Sequence, residues 1–142
     1  YIEEYLEQYS GIKNFMEEIT EQAKEQGYVE TLFKRRRYIP ELKSKNYMVR
    51  QFGSRVAMNT PIQGTAADIM KIAMIKVYKE ITKRNLKSKI VLQVHDEMML
   101  EVPTGEIEEV KEIMKNSMET ATILKVPLIA EISEANNWYE CK

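Results

Sequence analysis

Two short apolar runs, residues 89–94 and 97–102, are separated by only two residues, His95 and Asp96. No other feature constrains the fold as much, because a two-residue connection between such runs demands an antiparallel hairpin. Tight hairpin turns need positive φ, and His and Asp tolerate it better than most residues. That turn makes Val94 face Glu97, Leu92 face Met99 and Ile90 face Glu101. The other face then gathers Val91, Gln93, Met98, Leu100 and Val102. Both faces are largely apolar, which predicts a hairpin covered on both sides.

Three polar side chains, His95, Asp96 and Glu97, crowd at the tip of this otherwise apolar element. Two adjacent carboxylates repel each other and attract a cation. Mg²⁺ takes oxygen ligands and keeps several waters, so one or two carboxylates on a rigid turn suit it. Two such ions can hold the attacking and leaving oxygens in phosphoryl transfer. On the residues alone the alternative stays open: a polar turn in which Asp96 caps nearby N–H groups. The single His and single Cys exclude a Cys/His zinc site within one chain. Cys141 has no intrachain partner for a disulfide, which points to a reducing compartment.

The formal net charge of −1 conceals a strong asymmetry. Residues 1–30 carry −6, whereas residues 34–55 carry eight bases against Glu41 alone. Such a basic block is suited to phosphate contact, with a solvated loop as the bland alternative. The 44% apolar and 30% charged content suits a folded domain rather than a disordered segment. No apolar run approaches the ~20 residues of a membrane span. The N-terminus has no signal-peptide pattern, and it lacks an initiator Met, which suggests a start inside a longer gene product.

Elsewhere, residues 2–26 show helical spacing of Leu6, Ile12, Phe15, Met16, Ile19 and Ala23, broken near Ser10-Gly11, with Gly27 as the terminator. Residues 28–33 and 37–39 flank a basic turn and predict a small β-hairpin ended by Pro40. A helical pattern from about Asn46 to Arg84 is interrupted at Asn59-Thr60-Pro61, and Pro61 is best placed in the first turn of a new helix. Ile62, Ala66, Ile69, Ala73, Val77 and Ile81 form its apolar stripe, and small Gly64 allows close approach to a neighbour. A helix over 106–121 with Thr104 as N-cap and a last strand over 127–132 complete the pattern. The fold class is α+β, a small antiparallel sheet backed by long helices.

Arg55, Asn59 and Gln63 recur at i, i+4 and i+8, one helix face unless the break at Pro61 bends the line. All three offer N–H donors. The DNA minor groove presents acceptors at every base pair, so such a row can sense duplex shape without reading sequence.

Together these residues resemble a known family. Gln93-Val-His-Asp-Glu97 is similar to the palm motif C of family A DNA polymerases, the bacterial DNA polymerase I type. Arg55-Val-Ala-Met-Asn-Thr-Pro-Ile-Gln-Gly-Thr-Ala-Ala-Asp68, Gly27-Tyr-Val-Glu-Thr-Leu and Arg35-Arg-Arg-Tyr-Ile-Pro40 resemble that family too, as do Val126-Pro-Leu and the Trp138 tail. The resemblance spans essentially the whole chain with motifs in the expected order.

It implies a Mg²⁺-dependent DNA-templated DNA polymerase, a nucleotidyltransferase of replication and repair acting on primer–template DNA and dNTP. Asp96 would be the metal-binding aspartate, Glu97 its supporting acid and His95 a neighbour of the primer terminus. Arg55, Asn59 and Gln63 would be the minor-groove contacts, with Arg50, Arg35 and Arg36 on the DNA backbone. Residues 1–45 would form helices and a basic hairpin at the fingers/palm junction, and residues 46–142 the palm with motif C.

The resemblance also marks absences: neither the family's motif A aspartate nor its dNTP-binding fingers helix is found in this sequence. The chain therefore reads as a C-terminal fragment, roughly the last quarter of the polymerase region, expected to be inactive alone. A monomeric intact protein in the bacterial cytoplasm, associated with the nucleoid and not with membrane, is the matching expectation. A non-catalytic DNA-binding module and a metal-dependent hydrolase using His95-Asp96-Glu97 are the rival readings.

Overall fold

The computed structural model describes residues 2–141, and the chain divides into two compact units, one up to Ala66 and one from Ala67 onward. The first opens with α1 (Ile2–Gln8) and α2 (Ser10–Gln26), parted at Tyr9 close to the expected break. Gly27 ends α2 in the left-handed conformation, φ 82°, and its N–H donates to the carbonyl of Ala23. That is the conformation glycine adopts without a Cβ penalty. The chain then forms the ribbon β1 (Tyr28–Glu30) and β2 (Arg36–Tyr38), pairing Tyr28 with Tyr38, Val29 with Arg37 and Glu30 with Arg36. A 3₁₀ turn, Pro40–Lys43, leads into α3 (Tyr47–Lys83).

Alternation along β1 sends Val29 inward, where it is fully buried with Ala23, Ile39, Leu42 and Ala57. Two glycines let α3 close on this unit. A Cβ on Gly64 would lie 2.7 Å from Cγ2 of buried Thr31, and one on Gly53 would lie 3.0 Å from the backbone nitrogen of Leu42. The Thr65 hydroxyl accepts the Leu32 N–H at 2.9 Å and the Gly64 carbonyl accepts from Arg35 at 3.1 Å, fixing the ribbon's turn.

α3 corrects one expectation. Pro61 lies inside the helix rather than in the first turn of a new one. A proline there costs on the order of 3 kcal/mol, so burial must outweigh it. Residues on both sides supply that burial, Ala57 in the first core and Met70, Ala73, Val77 and Ile81 in the second. The expected apolar stripe is packed only from Ile69 on; Ile62 is exposed.

In the second unit β3 (Lys89–Val94) pairs with β4 (Glu97–Glu101). Val94 meets Glu97 and Leu92 meets Met99 as predicted, but an irregularity between Ile90 and Leu92 then shifts the register. Ile90 pairs with Leu100 instead of Glu101, and Lys89 takes Glu101. The bulge turns Ile90 to the face of Met98 and Leu100, which pack on the core, and leaves opposite charges paired at the ribbon's end. Only that face is covered; Val91 and Leu92 are exposed, so the hairpin is not sandwiched.

α4 (Ile107–Glu119) follows a 3₁₀ turn at Thr104–Glu106, and its N-cap is Glu106, not Thr104. The Glu106 carboxylate accepts from the backbone N–H groups of Lys87 and Ser88 and, at 2.6 Å, from the Ser88 hydroxyl. These bonds, that from Lys87 N–H foremost, hold its pKa below the usual carboxylate range. The strand expected over 127–132 is absent, since that segment pairs with no neighbour among the described residues. It is held instead by the Ala130 N–H on Glu119 and by the 2.6 Å ion pair of Lys111 with Glu134. Among the described residues no helix is long and apolar enough to cross a membrane.

Candidate functional site

The tip of β3–β4 is built by its turn. His95 has φ 51° and is the only residue of the turn with positive φ, so the strain falls on the first central position and not on both, as a I′ turn would have it. The Gln93 side chain donates to the His95 carbonyl at 2.6 Å and braces the loop from within its own strand. The residue pattern did not single out this contact. Its one signal is a glutamine, two residues before the turn, among apolar strand neighbours.

His95, Asp96 and Glu97 are all exposed, and none of their side chains makes a hydrogen bond or ion pair among the described residues. Asp96 therefore does not cap local N–H groups, the alternative its turn position left open. Asp96 and Glu97 form part of the wall of a cleft of about 700 Å³ between the hairpin, α4 and residues 129–135. Leu92, Val94 and Met99, on the uncovered face of the hairpin, also line it.

Two free carboxylates on a braced turn are hard oxygen donors, the chemistry that Mg²⁺ requires. Among the described residues no three His, Cys, Asp or Glu side chains come together as a metal cluster. A cation held by Asp96 and Glu97 would complete its shell with water, phosphate oxygens or ligands from elsewhere.

The first unit holds the donor row. α3 runs unbroken through residues 55–63, so Arg55, Asn59 and Gln63 share one helix face. All three are exposed, and their side chains are unengaged among the described residues. The other predicted basic contacts differ. Arg50 donates to the carbonyls of Ser44 and Lys45, both at 2.9 Å, and closes the entry to α3. Arg35 bonds the Gly64 carbonyl, and Arg36 pairs with Glu30 at 2.9 Å. Arg37, chemically equal to them in the sequence, reaches the Thr60 hydroxyl at 3.5 Å. The Glu30 carboxyl lies below its usual pKa range, chiefly through the Arg36 hydrogen bond.

Residues 1–140 match the family described as DNA polymerase family A. The chain belongs to DNA polymerase family A. It is 52% identical over 142 residues to DNA polymerase I of Caldicellulosiruptor bescii and 47% identical to that of Bacillus subtilis. In each case the whole chain aligns with only 17% and 16% of the relative's length. Among solved structures it is similar to the polymerase domain of Pol1 from M. smegmatis, in complex with DNA primer-template and dNTP, with a TM-score of 0.95 and 41% identity. That match covers 99% of this chain and 25% of the other. The α+β architecture with small antiparallel sheets is thus the family's own. The motif C and Arg55–Asp68 resemblances sit on a hairpin tip and a continuous helix in a family A chain.

Proposed function

We propose that this chain is a section of the polymerase region of a DNA-templated DNA polymerase. In the reaction a primer 3′-hydroxyl attacks the α-phosphate of a dNTP and pyrophosphate leaves. The observation that carries the reading is the braced hairpin tip, which presents Asp96 and Glu97 exposed and unengaged in a family A chain.

Asp96 would hold Mg²⁺, with Glu97 in support, and the bound ion would offset negative charge developing on the phosphate oxygens. Gln93 holds the turn that aims Asp96. His95 would lie beside the primer terminus. Arg55, Asn59 and Gln63 would accept a correctly shaped minor groove and sense mispairs through lost hydrogen bonds. Arg36 and Arg50 would meet backbone phosphates with the N–H groups their internal partners leave over, a guanidinium having five, and Arg35 would contribute its charge beside them. Residues 1–45 would then belong to the fingers/palm junction and residues 46–142 to the palm. Primer–template DNA and dNTP are the partners that the M. smegmatis complex suggests. The intact protein would be a monomer working at the nucleoid in the bacterial cytoplasm.

Asp96→Asn in the intact polymerase tests this. It should lower single-nucleotide extension by at least about a hundredfold, in line with loss of transition-state charge stabilisation. Affinity for primer–template should be retained. Extension within threefold of the unaltered protein would exclude Asp96 as the metal-binding carboxylate.

A further inference from the structure

The outward face of the β1–β2 ribbon carries an aromatic and charged array whose two tyrosines have no part in the proposed reaction. Because Val29 points into the core, the alternate residues Tyr28, Glu30, Arg36 and Tyr38 share the opposite face. The two rings meet edge-on at 5.6 Å with an interplanar angle of 60°. The Arg36 guanidinium lies 4.5 Å over the Tyr28 ring and is anchored by Glu30, which also takes Lys34 at 3.4 Å. Tyr28 is thus covered by a cation, whereas Tyr38 is 68% exposed.

We propose that this face is a stacking platform for single-stranded DNA, with one unpaired base lying on Tyr38 and its flanking phosphates near Lys34 and Arg36. Arg36, and Lys34 through its 3.4 Å pair with Glu30, put cations on this face, and the one acid there, Glu30, is already paired. A duplex keeps its bases stacked on one another. An unpaired base has a π-face to give, and stacking on tyrosine beside a cationic track is how single strands are bound without sequence readout. The Arg36–Glu30 pair keeps the guanidinium fixed beside the ring rather than swinging in solvent. The proposal rests on the reading that the chain handles primer–template DNA, and it adds the unpaired strand as a second ligand element.

Fluorescence anisotropy with the intact protein tests it on two DNAs: a recessed primer–template with a single-stranded template overhang, and the same duplex made blunt. Tyr38→Ala should weaken binding of the overhang DNA roughly ten- to a hundredfold, as expected for one lost base–aromatic stack. Blunt-duplex binding measured on the same sample should not change, and Tyr38→Phe should bind both DNAs as the unaltered protein does. Equal affinity of Tyr38→Ala for the overhang DNA, equal loss on both DNAs, or a Phe variant as weak as the Ala variant would each overturn the platform. Those results would leave the polymerase reading standing. Failure of the unaltered protein to bind either DNA would overturn both.

Discussion

The two hairpins of this chain share a plan and differ in what their polar groups do. Each is a two-stranded antiparallel ribbon with one positive-φ residue in its turn, Lys34 at 65° and His95 at 51°. In β1–β2 nearly every polar group answers another within the same unit: Glu30 with Arg36 and Lys34, Arg35 with Gly64, Arg37 with Thr60. In β3–β4 the turn is braced by Gln93, yet the side chains at its tip have no partner among the described residues. An unengaged carboxylate is available to a cation, whereas a paired cation must share itself with any phosphate. The residues alone left a bland alternative open for the basic block and for the acidic tip. The geometry separates them, and it moves the interest of the first hairpin from its arginines to its exposed tyrosine.

The largest test of this contrast removes the docking that satisfies β1–β2. Gly64→Ala would place a methyl 2.7 Å from Thr31 Cγ2, and Thr31 is buried and holds the Arg35 N–H through its hydroxyl. Neither side can yield freely, so overpacking should cost about 1–3 kcal/mol. Chemical denaturation should show the loss, and hydrogen exchange should rise at Thr31, Leu32 and Lys34, whose N–H groups the turn protects. Unchanged protection there would mean the ribbon holds its shape without α3.

The second test loosens the other hairpin. Gln93→Ala deletes the bond that an exposed side chain makes to the His95 carbonyl, so stability should fall by about 1 kcal/mol or less. Positioning should suffer more than stability. Extension by the intact polymerase should slow through kcat with little change in KM for dNTP, and Gln93→Glu should not restore it, because a carboxylate cannot donate. A fall in KM-dependent terms alone would place Gln93 in substrate binding instead.

These contrasts show which parts of the molecule were legible in the residues. The β3–β4 pairing near its turn followed from a two-residue connection, and Gly27 followed from a helix that needed a left-handed end. The bulge at Ile90–Leu92 did not follow, because apolar residues on both sides of the strand left either register plausible and the core decided between them. Pro61 was placed by local propensity and moved by burial on both sides of it. The strand over 127–132 was read from composition, but a strand exists only where another chain segment pairs with it. At the site, the types of Asp96, Arg55, Asn59 and Gln63 were visible in the sequence. Their lack of partners among the described residues was not, since the same arginine chemistry is engaged at Arg35, Arg36 and Arg50.

The smallest effect expected is at Glu30, and its sign follows from the shift. Arg36 holds the folded carboxyl below its unfolded value, so the pair contributes above the unfolded pKa of about 4.3 and is lost as pH falls through the folded one. Both partners touch solvent, where ion pairs contribute little. Glu30→Gln should therefore lower the Tm only slightly at pH 7, and the gap between the two proteins should close as pH falls through the lowered carboxyl pKa of the folded state. Added salt at pH 7 should close it as well, because exposed charges are screened. A gap that survives both acid and salt would mean that Glu30 holds the ribbon by packing rather than charge. The orientation of Arg36 over Tyr28 would then no longer depend on the pair.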